Sequence, residues 1–232
     1  MEPSIVIAIA DLTAGYRGNP VLKKLNLTVK QGEAVGIAGP NGTGKTTLFK
    51  AILGMIPKTQ GQIRILGRDL KSMQDRSWVR RQIGYVPQQT IPGKLPVSVY
   101  DAVLMGRWGK SFGFARKPDS TDREAVKTKL NQVGLNHKAE NDCRSLSGGE
   151  QQKIAIARAL VREAKILLLD EPATYLDRES RNEITALVQK IRAEQDLTLI
   201  VISHDPLHLQ AMTDRIYRID DGRLRMDANE SD

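Results

Sequence analysis

The 232 residues supply enough chain for one large domain, or one domain with an insertion, and with 40% hydrophobic side chains they bury a substantial core. A formal charge of +8, from 35 Lys and Arg against 27 Asp and Glu, suits an anionic ligand, a nucleic acid or the negative face of a membrane, and does not choose among them. Apolar runs such as 5–10, 166–169 and 199–202 fall short of the ~20 residues of a membrane-spanning helix, so a membrane role is expected to be peripheral. No secretory leader is read at the start, and the single Cys143 excludes an internal disulfide, in agreement with a reducing compartment; it reads as a packing or loop residue.

In chain order, the first elements read as half-exposed strands. Leu25, Leu27 and Val29 alternate with Asn26, Thr28 and Lys30, and Ile63 and Ile65 alternate with Gln62 and Arg64, which predicts an antiparallel subsheet. Between them, residues 33–38 form a short apolar run of the buried-strand type. Residues 165–169 and 198–202 repeat that pattern between helical stretches, as parallel strands of an α/β core do. From about 90 to 145, Pro, Gly and charged residues interrupt helical stretches such as 123–133, predicting an inserted helical subdomain. Residues 215–219 and 223–226 flank Asp220-Asp221-Gly222 as a closing hairpin, and the acidic 227–232 is expected to fray.

The strongest local signal is Gly39-Pro40-Asn41-Gly42-Thr43-Gly44-Lys45-Thr46, which fits G-x-x-x-x-G-K-[ST] at every fixed position. An apolar strand precedes it. Behind it Leu48, Ala51, Ile52 and Met55 fall at i, i+3, i+4 and i+7, a helix with one buried face. Glycines let successive N–H groups converge on phosphate oxygens, and the helix start adds partial positive charge. Lys45 brings a full charge to the β/γ-phosphates, the Thr46 hydroxyl is placed to ligate Mg²⁺, and Thr47 to reach the α-phosphate. An ordinary Gly-rich turn would explain fewer of these positions.

After 166–169 come Asp170 and Glu171, then Pro172, which stops the strand's ladder. Carboxylates at such a strand end face the ligand crevice: Asp170 is placed to hold Mg²⁺ through water, and Glu171 to take a proton from an attacking water. By itself the pair would equally be a turn. Another buried strand ends at Ser203-His204-Asp205, where His204 reaches the γ-phosphate or orients the water; alone it would be a polar cap. Leu146-Ser147-Gly148-Gly149-Glu150-Gln151-Gln152 opens a helix, and Ser147 with Glu150 forms an S-x-x-E capping box.

This last segment resembles the signature motif of ATP-binding-cassette (ABC) proteins. Other positions match in order: Tyr16 resembles the aromatic that stacks on adenine, Gln88 in Tyr85-Val86-Pro87-Gln88 the Gln that senses Mg²⁺ and links to the transporter, and residues 173–177, ending in Asp177, the loop crossing the dimer interface. Glu150 stands where the family more often has Gln, and Lys153 where Arg is common. The resemblance spans nearly the whole chain. It implies an α/β fold, with a P-loop NTPase core of parallel sheet, an N-terminal antiparallel β subdomain and an inserted α-helical subdomain. The single domain 1–232 then divides into a core of 1–89 and 156–232 and a helical part of 90–155.

The resemblance also implies ATP and Mg²⁺ as cofactors and a head-to-tail homodimer in which Ser147, Gly148, Gly149 and Glu150 of one copy bind the γ-phosphate held by the other. Integral membrane permease subunits and a solute-binding protein are the further partners, at the cytoplasmic face of the cell membrane. Residues 97–107, then Arg116 and 122–125, look like the helical subdomain of importers for metal ions or metal chelates. Residues 171–177 are closer to the siderophore and cobalamin branch, 103–107 to the manganese, zinc and iron branch, so the solute class stays divided. Arg107, Lys110, Arg116 and Lys117 are expected either to face anionic lipid or the permease, or to form a solvated charged loop. The alternative function is an ABC-type ATPase of DNA repair or translation; residues 90–145 lack the heptads of a coiled-coil insertion and the chain has one cassette, so no nucleic acid is expected.

Overall fold

The computed structural model describes residues 4–16, 19–88, 96–109, 113 and 116–227. In chain order they form β1 (Ile5–Tyr16), β2 (Asn19–Lys30), β3 (Ala34–Ala38), α1 (Lys45–Ile52), β4 (Lys58–Ile65), β5 (Arg68–Asp69), α2 (Met73–Gln82), β6 (Ile83–Val86), α3 (Val99–Leu104) and α4 (Ser120–Gln132). There follow α5 (Gly148–Leu160), β7 (Ile166–Asp170), α6 (Arg178–Gln195), β8 (Thr198–Ile202), α7 (Pro206–Met212), β9 (Arg215–Asp220) and β10 (Arg223–Met226). Short 3₁₀ turns lie at Met105–Arg107, Asn136–Lys138 and Cys143–Ser145.

Two sheets divide the strands as the hydropathy patterns require. The alternating strands make an antiparallel sheet in the order β2-β1-β4-β5, with Ile7 opposite Val29 on one side and Ile65 on the other. The continuous apolar runs make a second sheet, β10-β9-β3-β8-β7-β6, parallel except for the β9–β10 hairpin. Every residue of β3, β7 and β8 is buried, because both faces of that sheet are covered. Ile166 and Leu168 of β7 pack with the antiparallel sheet and α1, while Leu167 and Leu169 pack with α5 and α6. β6 escapes a reading of hydropathy alone; its place is set by its parallel register with β7, from Ile83 opposite Ile166 to Val86 opposite Leu169.

A third apolar cluster joins Val99 and Val103 of α3, Val126 and Leu130 of α4, and Ile154 and Ala157 of α5. The helix α5 belongs to two cores at once, since its Ala155, Ile156, Ala159 and Leu160 pack against the parallel sheet. The border expected between residues 155 and 156 thus falls inside one continuous helix.

Two sequence expectations are corrected here. Met55 does not extend the buried face of α1 but is 54% exposed. The helix ends at Ile52 because Gly54 takes φ +64°, its N–H bonding to Ala51 O (3.0 Å) and the Met55 N–H to Lys50 O (2.8 Å), a double closure of the last carbonyls that turns Met55 outward; Phe49 fills the core instead. Arg107 does not face lipid or solvent: it is buried, its Nε donating to Asp122 Oδ1 at 2.6 Å and its Nη1 to the Val161 carbonyl at 2.9 Å, which compensates the desolvated charge. Arg116, ion-paired with Asp119, and Lys117 are exposed, and Lys110 lies outside the described residues.

Candidate active site

Because β3, β8, β7 and β6 run parallel, the loops leaving their C-terminal ends collect along one edge. After β3 the chain turns through Gly39, where a Cβ would stand 2.6 Å from the Ile219 carbonyl, and Gly44, which precedes α1 at φ +109°. No side chain caps α1, so its leading N–H groups remain available to an anion. Lys45 folds back over the loop. Its buried Nζ donates to Gly39 O at 2.6 Å and Pro40 O at 2.9 Å and lies 3.9 Å from Glu171 Oε1. Burial lowers the lysine's pKa, and the charges of Glu171 and then Asp170 oppose that shift.

Two strands away, β7 ends in Asp170 and is followed by Glu171, both buried. The Tyr85 hydroxyl, from the neighbouring β6, donates to Asp170 Oδ2 at 3.2 Å, while Oδ1 is buried without a hydrogen-bond partner. Burial pushes the Asp170 carboxyl above its ordinary range, with the Thr46 and Tyr85 hydroxyls pulling the other way and the Glu171 charge adding to the rise. Burial, Asp170's charge and its hydrogen bond in turn raise the Tyr85 phenol.

Glu171 sits at φ +52°, a left-handed conformation that costs a non-glycine residue about 1–3 kcal/mol and is held by its N–H bonding to Ile202 O at 2.9 Å. Its Oε2 lies 2.7 Å from His204 Nδ1 and accepts from the Thr174 hydroxyl at 2.8 Å, while Oε1 has no hydrogen-bond partner. With Glu171 ionised, His204 carries its proton on Nδ1 and donates it to this carboxylate.

A buried carboxylate oxygen without a donor is costly, and a hard cation removes that cost. Asp170 Oδ1, with the Thr46 hydroxyl near the same carboxyl group, therefore fits Mg²⁺. Among the described residues no three His, Cys, Asp or Glu side chains form a metal cage.

The structure thus brings together Lys45, Thr46, Asp170, Glu171 and His204 of the residues expected from sequence, and adds Tyr85 and Thr174. Gly42, Pro40 and Asn41 are exposed on the loop, Thr47 is buried in α1, and the Thr43 hydroxyl donates to Pro40 O at 2.9 Å. Gln88 is exposed just past β6, on the same edge as Glu171. Tyr16 ends β1, 42% exposed, with Lys50 Nζ 5.8 Å from its ring centroid. The remaining residues sit at two other helix starts. Ser147 caps α5 through the expected reciprocal box with Glu150, followed by Gly148 and Gly149, and Asp177 caps α6 by accepting from the Ser180 N–H and hydroxyl, both at 2.9 Å. The partners of Tyr85 and Thr174 were not legible from spacing, since one depends on strand order and the other on the turn after Pro172.

A parallel sheet whose strand ends present a glycine-rich loop, its lysine and a carboxylate pair defines a P-loop nucleotide-binding protein. The family model described as "ABC transporter" matches residues 22–174. The chain is 38% identical over 200 residues to "Manganese transport system ATP-binding protein MntB" of Bacillus subtilis (strain 168), covering 86% of this chain and 77% of that one. It is 34% identical over 221 residues to "High-affinity zinc uptake system ATP-binding protein ZnuC" of the same organism, covering 94% and 92%. Among solved structures, cbiO1 from Clostridium perfringens, described as part of the ABC transporter complex cbiONQ, superposes with a TM-score of 0.85 at 30% identity, over 97% of this chain and 88% of that one. The chain belongs to the ABC transporter family, as an ATP-binding ATPase.

Proposed function

We propose that this chain hydrolyses ATP to energise a membrane importer of a divalent metal ion or metal chelate, with manganese and zinc as the first candidates. The observation that carries the ATPase chemistry is the meeting of Lys45, Asp170, Glu171 and His204 beside the uncapped start of α1. The metal assignment follows the relatives named for manganese and zinc.

In this reading the β/γ-phosphates replace the Gly39 and Pro40 carbonyls as partners of Lys45 and take the α1 amides. Thr46, Asp170 through water, and Gln88 just past β6 would hold Mg²⁺, which would supply positive charge to neutralise the phosphates. His204 and Thr174 occupy Glu171 Oε2, which leaves Oε1 to accept the proton as water forms its bond to the γ-phosphorus and the bond to the ADP oxygen breaks. Tyr16 stacks on adenine. A second copy lays its Ser147, Gly148, Gly149 and Glu150 over the γ-phosphate, with Asp177 in the loop between the copies.

The permease docks in the groove between α5 and the sheet, a cavity of about 540 Å³ whose rim carries the exposed Met55, Val97 and Met105 and several arginines. No helix among the described residues is long and apolar enough to cross a membrane, which is consistent with attachment to the cytoplasmic face through that permease. A solute-binding protein completes the importer.

The test is to copurify the chain with its membrane partner, reconstitute it in vesicles and measure ATP hydrolysis. Stimulation by Mn²⁺, Zn²⁺ or a metal chelate, with its binding protein, is the expected result. Stimulation by DNA or ribosomes alone would transfer the assignment to the nucleic-acid alternative.

A further inference from the structure

The start of α5 carries a carboxylate at the place where an anion is to be bound. Glu150 is fixed there by the bond that shapes the loop, because its Oε2 accepts the Ser147 N–H at 3.0 Å. An uncompensated negative charge one residue beyond the Gly149 amide repels an approaching phosphate and cancels the helix's own positive end. Lys138 meets that charge: its Nζ donates to Glu150 Oε1, with the two side chains 30% and 23% exposed. This hydrogen bond is the foremost cause holding the Glu150 carboxyl below its ordinary range.

Lys138 does not arrive by chance of a long surface side chain. It ends the 3₁₀ turn Asn136–Lys138, whose preceding Leu135 is buried in the helical cluster. The Lys138 N–H bonds to Leu135 O at 3.0 Å, and its own carbonyl accepts the Asn141 N–H at 2.9 Å. The backbone therefore presents the ammonium to Glu150 from a fixed position, 12 residues earlier in sequence.

We propose that Lys138 is a positioning residue for nucleotide capture: by neutralising Glu150 it lets the Ser147–Gly149 helix start accept the γ-phosphate of ATP bound to a second copy of this chain. The inference rests on the dimer reading above. It explains how a carboxylate is tolerated in a phosphate-binding loop, since the carboxylate keeps the helix cap and the lysine removes its charge.

The experiment uses the Glu171→Gln chain, whose turnover is expected to be too slow to exhaust the nucleotide during the measurement, and follows ATP-driven dimerisation by light scattering. Adding Lys138→Met is expected to raise the ATP concentration for half-dimerisation on the order of tenfold, the scale of one unscreened charge near a phosphate. ATP binding to the dilute monomer, read by fluorescence titration, stays unchanged, because the α1 cradle does not include Lys138. Adding Glu150→Gln to Lys138→Met keeps the capping acceptor without charge and restores dimerisation to within about twofold of the parent. Parental behaviour of Lys138→Met overturns the proposal. So does a defect that persists with Glu150→Gln, since that is packing and not charge. A Glu171→Gln parent that never dimerises overturns the dimer reading itself, and is recognised before Lys138 is altered.

Discussion

At the scale of single residues, Asp170 shows stability and function opposed. The folded chain binds the Asp170 proton more tightly than the unfolded chain does, because burial penalises the anion. From the ordinary carboxylate pKa up through the raised one, the folded state therefore holds more protons, and stability falls as pH rises across that window. Asp170→Asn removes the charge and keeps an acceptor for the Tyr85 hydroxyl. Without nucleotide, thermal melts at neutral pH are expected to show a Tm higher by about 2–4 °C and a flatter dependence on acid pH, with Mg²⁺-dependent ATP turnover lost. Glu171 holds a different tension: its left-handed backbone is tolerated because the Ile202 carbonyl, His204 and Thr174 all fix it in place.

At the scale of elements, α5 carries the joint between the nucleotide core and the helical part. Its close packing needs glycine on the facing surfaces: a Cβ on Gly106 would stand 2.2 Å from the Arg158 carbonyl and 2.6 Å from Val161 Cγ1, and one on Gly84 would stand 2.7 Å from the Ala159 carbonyl. A helix carbonyl cannot yield without moving the helix. Gly106→Ala is expected to destabilise the chain by about 1–3 kcal/mol, read as a lower denaturant midpoint at unchanged slope. ATP binding to the monomer survives, since the α1 cradle lies on β3, away from this contact.

At the scale of the whole molecule, the nucleotide site is open on the side where His204 is 55% exposed, and the Ser147 helix start makes its own bonds to Glu150. In the proposed reading, pairing of copies completes the two half-sites. The Glu171→Gln chain is expected to sediment and scatter as a dimer with saturating ATP and as a monomer without it, with turnover reduced by about 10²-fold or more. A monomer under saturating ATP would remove the second copy from the mechanism.

The motifs legible in the sequence are those whose physics is local. A glycine-rich turn between a strand and a helix, two carboxylates before a proline, a capping box and a two-stranded hairpin are each complete within a few residues. Met55 failed as a core residue even locally, because the left-handed Gly54 ended the helix before hydropathy did. Other features needed the fold: the Tyr85 hydroxyl on Asp170, His204 on Glu171 33 residues away, the burial of Arg107 against Asp122, and Lys138 on Glu150. Each joins elements whose adjacency follows from the strand order β3-β8-β7-β6 or from helix packing. The sequence alone therefore determined which groups could do the chemistry. Only the tertiary structure decided which of them meet, because packing of the buried sheet and helices, and no pattern of near neighbours, sets those distances.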